Sequence, residues 1–277
     1  MIVDAHVYLG PCLFGYGQSL EEIRVNLDRL GIEKAALVPV KPRNYHLAPM
    51  NELVAEAVQK YPDQFFGLCR VDPWQGEAAV AEVRRGFEEL GACGLYLDPW
   101  EENFQANNEV VLPVLQEVSR YDRPVVLNAG HLRVSHPTQI RDIASRFPAV
   151  KFVACNGAQI NISGMLQFEA RRMLEACPNV VIQTAGTYRE DFLEEITTEV
   201  GTERVLFASR SPIYDQEFEM ARVRFAHLSA SQKEKLWGAN ALGVFAEPGL
   251  KPNNPESTTH LQKKGFDGRG NSTKGRR

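Results

Sequence analysis

Long apolar runs are missing from this 277-residue chain. No stretch reaches the roughly 18 uninterrupted apolar residues of a membrane-spanning helix, so that class is excluded. The first residues lack a basic segment followed by an apolar one, so no secretory signal is expected. Cysteine is sparse and scattered. Cys12, Cys69, Cys93, Cys155 and Cys177 form no Cys-x-x-Cys pair. Three of them sit in apolar, strand-like runs and read as small core residues of a reducing compartment, not as a disulfide framework. A cytoplasmic location is the resulting expectation. No Gly-x-Gly-x-x-Gly turn follows the first strand, which speaks against a dinucleotide-binding sheet. No Ser-His-Asp, Cys-His or phosphate-loop spacing stands out. Basic charge is scarce in the body of the chain. Seven of the 31 Lys and Arg fall in 251–277, against two of the 35 Asp and Glu, which leaves residues 1–250 with a net charge of −9. Such a body is no nucleic-acid binder.

What is present is a repeat of apolar run, loop and amphipathic helix. Strands are predicted over 2–3, 35–40, 65–71, 93–97, 124–128, 151–156, 180–183 and 204–209. Helices are predicted over 20–30, 53–61, 80–90, 110–121, 137–147, 166–176, 192–200 and 216–225, with a last one over 231–245. Ser19 and Glu22 form a capping box at the start of the first helix. Continuously apolar strands belong to a parallel sheet covered on both faces. Eight such units fit an α/β fold of the (β/α)₈ TIM-barrel kind, with a doubly wound open sheet as the weaker alternative. The barrel is expected over 1–247, closed by the last helix. Residues 248–277 carry Pro, Asn, Lys, Gly and Arg with few apolar side chains. That segment is expected to be a disordered basic tail, because it cannot bury enough surface to offset its ordering entropy.

Chemistry in such barrels sits at the C-terminal ends of the strands. Asp4 and His6 stand two residues apart at the end of the first apolar run, and strand alternation aims them to one side. They could be metal ligands, an acid/base pair or a buried structural hydrogen bond. The other strand ends carry Arg70, Asp72, Tyr96, Asp98, Trp100, Asn128, His131, Asn156, Gln183 and Arg210. Arg210 suits a carboxylate, which a guanidinium can bind with two parallel hydrogen bonds. Asn128 and Asn156 read as hydrogen-bonding pocket walls, and Asp72 and Asp98 as caps of the following helices. Lys41, Arg43 and Tyr45 lie on a loop of the same face, solvated by default or else clamping an anion. His46, His136 and His227 read as surface residues. Asp-Pro-Trp occurs twice, at 72–74 and 98–100, where proline ends a strand.

These residues resemble the amidohydrolase-related family of metal-dependent (β/α)₈ barrels, which includes small-acid decarboxylases and lactone hydrolases. The resemblance covers about residues 1–247. It rests on Val3-Asp4-Ala5-His6, on Gly94-Leu95-Tyr96-Leu97-Asp98-Pro99-Trp100 and on Pro124-Val125-Val126-Leu127-Asn128-Ala129-Gly130. Lys151-Phe152-Val153-Ala154-Cys155-Asn156-Gly157, Ala208-Ser209-Arg210-Ser211-Pro212 and the closing Gly238-Ala239-Asn240-Ala241 complete it. The family pattern implies a His-x-His pair on strand one, a His after strands five and six, and an Asp after strand eight. Asp4 and His6, Asn128, Asn156 and Arg210 stand at those positions. Zinc is the metal the resemblance implies, but Asn is a poor zinc ligand and Arg210 places a fixed cation where the ion would sit. The expectation is therefore a degenerate site with no metal or other cofactor, in which Asp4 pairs with Arg210.

Two functions follow from the resemblance and these departures. One is an enzyme that hydrolyses a lactone or amide, or decarboxylates a small carboxylated molecule. His6 would be its general acid/base, oriented by Asp4, and Arg210 would anchor the carboxylate, with Arg70, Tyr96, Trp100, Asn128, His131 and Asn156 around the substrate. The other is a non-catalytic barrel that binds a small molecule or serves an active partner. A homodimer is the candidate assembly.

Overall fold

Each apolar run becomes a strand buried on both faces, and the order of the runs becomes the order of the sheet. The computed structural model describes residues 1–160, 164–187 and 189–246. The barrel strands are β1 (Val3–Pro11), β3 (Lys34–Pro39), β4 (Phe65–Arg70), β5 (Gly94–Leu97), β6 (Val125–Leu127), β7 (Phe152–Ala154), β8 (Val180–Gln183) and β9 (Val205–Leu206), hydrogen-bonded in chain order. All these neighbours pair in parallel. The ring closes where the Ala5 N–H donates to the Phe207 carbonyl and the Arg210 N–H to the His6 carbonyl, both at 2.9 Å. The (β/α)₈ expectation holds. A short strand, β2 (Gly17–Gln18), pairs antiparallel with the end of β1 and had no signal in the sequence.

The core has two layers. Leu37, Leu95, Leu97, Val125, Leu127, Phe152 and Ile182 face the helices. Val38, Leu68, Tyr96, Val126, Val153, Val181 and Leu206 fill the barrel interior. Fully burying one such aliphatic side chain stabilises by about 1.5–3 kcal/mol. Leu95→Ala would therefore cost about 2–5 kcal/mol, since a cavity is left behind. Helix α1 (Leu20–Leu30) shows how the outer layer is set: the Ser19–Glu22 capping box forms, Ile23 and Leu27 are buried, and Gly31 ends the helix at φ +68°. All five cysteines are buried and free, as expected.

Two expectations at the ends of the chain change. β1 does not stop at Val3; it runs on through Asp4 and His6. Its register against β3 shifts between Asp4 and Val7. That irregularity breaks the side-to-side alternation on which the joint aim of Asp4 and His6 depended. At the other end, the last helix is α9 (Ala230–Glu234) and α10 (Asn240–Phe245), joined by a π-helical turn at Lys235–Ala239. The expected basic tail lies outside the described residues. Among the described residues, no helix is long and apolar enough to cross a membrane.

Candidate functional site

The C-terminal ends of the strands hold a set of buried polar side chains with two arginines among them. Arg70 ends β4 and is fully buried. Its Nη2 donates to Glu101 at 2.5 Å and to Glu102 at 2.7 Å, and its Nη1 donates to the Pro39 carbonyl at 3.2 Å. Lys41 joins the cluster, 3.5 Å from Glu102, and donates to the Glu101 carbonyl at 2.5 Å. Burial pushes the Glu102 carboxyl up to about 7, against the attraction of Arg70. Arg70 is thus occupied by carboxylates of its own chain and is not free to bind substrate. Lys41 is equally buried, not solvated; Arg43 and Tyr45 are exposed.

Arg210, on the loop after β9, is held differently. It is 4 % exposed. Its Nη2 donates to the Tyr8 hydroxyl at 2.7 Å and its Nη1 to Asn156 Oδ1 at 2.6 Å. Each contact continues. The Tyr8 hydroxyl lies 2.8 Å from that of Tyr96, which donates to Asp98 Oδ2 at 2.8 Å. Asn156 Nδ2 donates to Asn128 Oδ1 at 3.2 Å, and Asn128 Nδ2 donates to both Asp98 oxygens at 2.9 and 3.0 Å. Since Arg210 can only donate, the Tyr8 proton points to Tyr96. Two arms, one of tyrosines and one of asparagines, therefore run head to tail from Arg210 to Asp98. Burial opposes the Asp98 charge, but Arg70 and the Asn128 amide hold its carboxyl below the usual range. The asparagines are pocket walls, as expected, and Asp98 also caps Trp100 and Glu101. Asp72 caps Trp74.

The backbone is strained where this arrangement is anchored. Asn156, Ala158 and Arg210 have φ of +55°, +58° and +53°. Asparagine adopts that region readily, whereas Ala and Arg do so at a cost of order 1 kcal/mol.

His6 and Asp4 do not form the expected pair. The His6 Nδ1 lies 3.2 Å from Gln183 Oε1, and Gln183 Nε2 donates to the Ala5 carbonyl, so Nδ1 carries the proton. Nε2 is buried without a partner among the described residues. Burial, with help from the Arg210 charge, holds His6 well below the usual imidazole range, so the ring is neutral. The Asp4 carboxylate instead accepts from Ser209 N–H at 2.9 Å, His6 N–H at 3.1 Å and Gln216 at 2.9 Å. It makes no ion pair with Arg210: its neighbours Val3 and Ala5 face the barrel interior, so Asp4 lies on the helix side of β1, where Gln216 at the start of α8 (Gln216–Phe225) reaches it. Burial pushes its carboxyl up despite those donors. Gln183 fixes the His6 tautomer, the role expected of Asp4.

Above Arg210 a cavity of about 320 Å³ opens to solvent. Tyr16, Trp100, Asn128, His131, Arg210 and Tyr214 line it, with Phe14, Glu101, Ile160 and Ile213. His131 stacks on Trp100, ring centroids 4.6 Å apart and planes 6° from parallel. Burial holds His131 below the usual imidazole range. Tyr96 and Asn156 lie beneath this cavity and support Arg210 without lining it. Tyr8, Tyr16, Glu101 and Tyr214 were not anticipated. Tyr8 was the most accessible of them, since it is two residues beyond His6. His46 and His227 are exposed, and His136 caps α5 (Pro137–Arg146).

Comparison with known proteins agrees on the architecture. The sequence pattern of the amidohydrolase family matches residues 14–246. A gamma-resorcylate decarboxylase of Rhodococcus jostii is 22 % identical over 287 aligned positions, which take in 82 % of this chain and 87 % of that protein. The crystal structure of 5-carboxyvanillate decarboxylase from Sphingomonas paucimobilis superposes with a TM-score of 0.72 at 14 % identity, over 88 % of this chain and 98 % of that one. A dihydroxybenzoic acid decarboxylase from a Polaromonas species superposes with a TM-score of 0.69 at 17 % identity, over 88 % and 96 %. That last structure contains manganese and the inhibitor 2-nitroresorcinol. It overturns the expectation of no metal cofactor, since a barrel of the same fold binds manganese.

Proposed function

The chain belongs to the amidohydrolase family, and from that premise we propose that it is a non-oxidative decarboxylase of a small carboxylated aromatic molecule bound at Arg210. One observation carries the reading. Arg210 is a buried cation whose direct partners, Tyr8 and Asn156, are both neutral, and it forms the base of a cavity walled by aromatic rings. A buried charge calls for a counter-charge, and an aromatic acid supplies one together with a ring to stack. The cavity volume is at the lower end of small-molecule sites, which suits one ring. The decarboxylases among the relatives support the reaction class. Neither hydrolysis nor a non-catalytic role gains support from them.

A divalent cation calls for a cluster of converging oxygen or nitrogen donors. Among the described residues no three His, Cys, Asp or Glu side chains converge to hold one. The His6 Nε2 lone pair is free, but the Asp4 oxygens are taken by three donors, and Arg210 stands with Asn128 and Asn156 at the remaining positions. The donor set does not match the ion, and no step is routed through it.

In the proposed reaction Arg210 fixes the acid, while Trp100, Tyr16 and Tyr214 hold the ring and exclude water. The bond from ring carbon to carboxylate breaks, its electron pair stays on the carbon, a proton takes the vacated position and CO₂ leaves. His131 is the proton carrier on the cavity wall, replacing His6, which does not line it. The test is product analysis after incubation with hydroxybenzoic and carboxyvanillic acids, with and without added manganese. CO₂ release that falls about 100-fold or more in Arg210→Met supports the reading. Wild-type protein that neither binds nor decarboxylates any acid of the panel would sink it.

A further inference from the structure

A second cavity, of about 420 Å³, lies on the same face of the barrel. Trp74, Trp100, Asn103, Gln105, Asn108 and Arg133 line it. Trp100 belongs to both cavities, whereas His131 lines only the one at Arg210. The two cavities therefore adjoin at the Trp100 ring. From the chemistry of this second space we infer that the acid bound at Arg210 carries a second aromatic ring, and that this ring lies between Trp74 and Trp100. The inference rests on Arg210 as the anion site.

Four features support it. Trp74 and Trp100 are 57 % and 58 % exposed, a large apolar area to leave in water beside a cavity. Trp74 is pre-positioned, because its indole N–H is directed to the Glu102 carbonyl at 3.1 Å and the Asn103 carbonyl at 3.3 Å. Its polar edge is thereby satisfied, and its π face is what remains to offer. The walls do not have to assemble on binding, since the Ala106 N–H donates to the Val134 carbonyl at 2.7 Å and ties the loop after β5 to the loop after β6. Finally, the polar side chains of Asn103, Gln105 and Asn108 and the cation of Arg133 suit oxygen substituents on the second ring. One ring would fill the Arg210 cavity and leave this second space to water. Two linked rings fill both.

The experiment is calorimetric titration of the full chain with 2,6-dihydroxybenzoate and with biphenyl carboxylates joined at different ring positions. At least one biphenyl acid should bind about tenfold tighter than the one-ring acid, a difference of about 1.4 kcal/mol. Trp74→Ala should abolish that advantage and leave one-ring affinity unchanged. Gln105→Trp, which fills the second cavity, should give the same split should the first variant fold poorly. Arg210→Met should abolish binding of both classes. Biphenyl acids that bind no tighter than the one-ring acid, or variants that weaken both classes alike, overturn the second-ring inference and leave the Arg210 reading standing. Wild-type protein that binds neither class fails both.

Discussion

Arg70 and Arg210 are both buried at the mouth of the barrel, yet they are neutralised in opposite ways. Arg70 touches two carboxylates directly, and Lys41 shares one of them, Glu102. Arg210 touches a phenol and an amide, and the nearest carboxylate along either chain of hydrogen bonds, Asp98, is two relays away. A guanidinium paired directly with carboxylates of its own chain is a structural clamp. One that meets only neutral oxygens keeps its attraction for an anion from outside. The contrast separates two residues that look alike in the sequence.

The largest effect should come from breaking the clamp. Arg70→Met removes the cation that touches both Glu101 and Glu102 and leaves only Lys41 beside Glu102, and the expected loss is about 3–5 kcal/mol of stability. Arg210→Met removes a charge whose partners are neutral, and should cost about 1–3 kcal/mol. Urea unfolding of the two variants compares them directly, and equal losses would erase the distinction. An effect of the same size belongs to Tyr8→Phe, which cuts the tyrosine arm at its first link. About 1–3 kcal/mol of stability should be lost, because the Arg210 Nη2 donor and the Tyr96 hydroxyl both lose a partner. An unchanged urea midpoint would mean that the arm carries no net stabilisation.

The smallest effect is a slope with pH. Glu102 is the second carboxylate on Arg70, and its carboxyl is pushed up to about 7, mainly by burial. A carboxyl raised on folding keeps a proton that the unfolded chain has released, so its contribution is fully present below the ordinary carboxylate range and is lost as pH rises through about 7. The thermal midpoint should therefore be lower at pH 8 than at pH 5, and Glu102→Gln should flatten that decline. A slope unchanged in the variant would assign the titration elsewhere, with Glu219, also pushed up to about 7 by burial, as the next candidate.

The barrel was legible because its signal is redundant. Eight apolar runs and the helices between them agree, and an error at one boundary does not alter the count. The site was legible only as a set of positions. Arg210, Asn128, Asn156, Trp100 and His131 do gather at the mouth, because strand ends are marked by composition. Their pairing was not legible. The Asp4–Arg210 bond was inferred from charge alone, whereas Gln216 meets Asp4 and the register shift of β1, which falls after Asp4, parts it from His6. Residue types do not encode that shift. Arg70 looked as available as Arg210, because Glu101 and Glu102 lie in a loop whose inward turn follows from Asp98 capping it. The metal expectation failed for a different reason: it was drawn from this chain's residues, whereas the finding that overturned it concerns the family.

The two arms that join Arg210 to Asp98 also constrain how this protein can change over generations. Every donor in them points the same way, and both arms share their first and last members. Replacing one interior residue leaves a donor facing nothing or two acceptors facing each other. A change at either terminus reverses the demand on both arms together. Positions 8, 96, 98, 128, 156 and 210 are therefore one coupled unit, in which the effects of substitutions do not add.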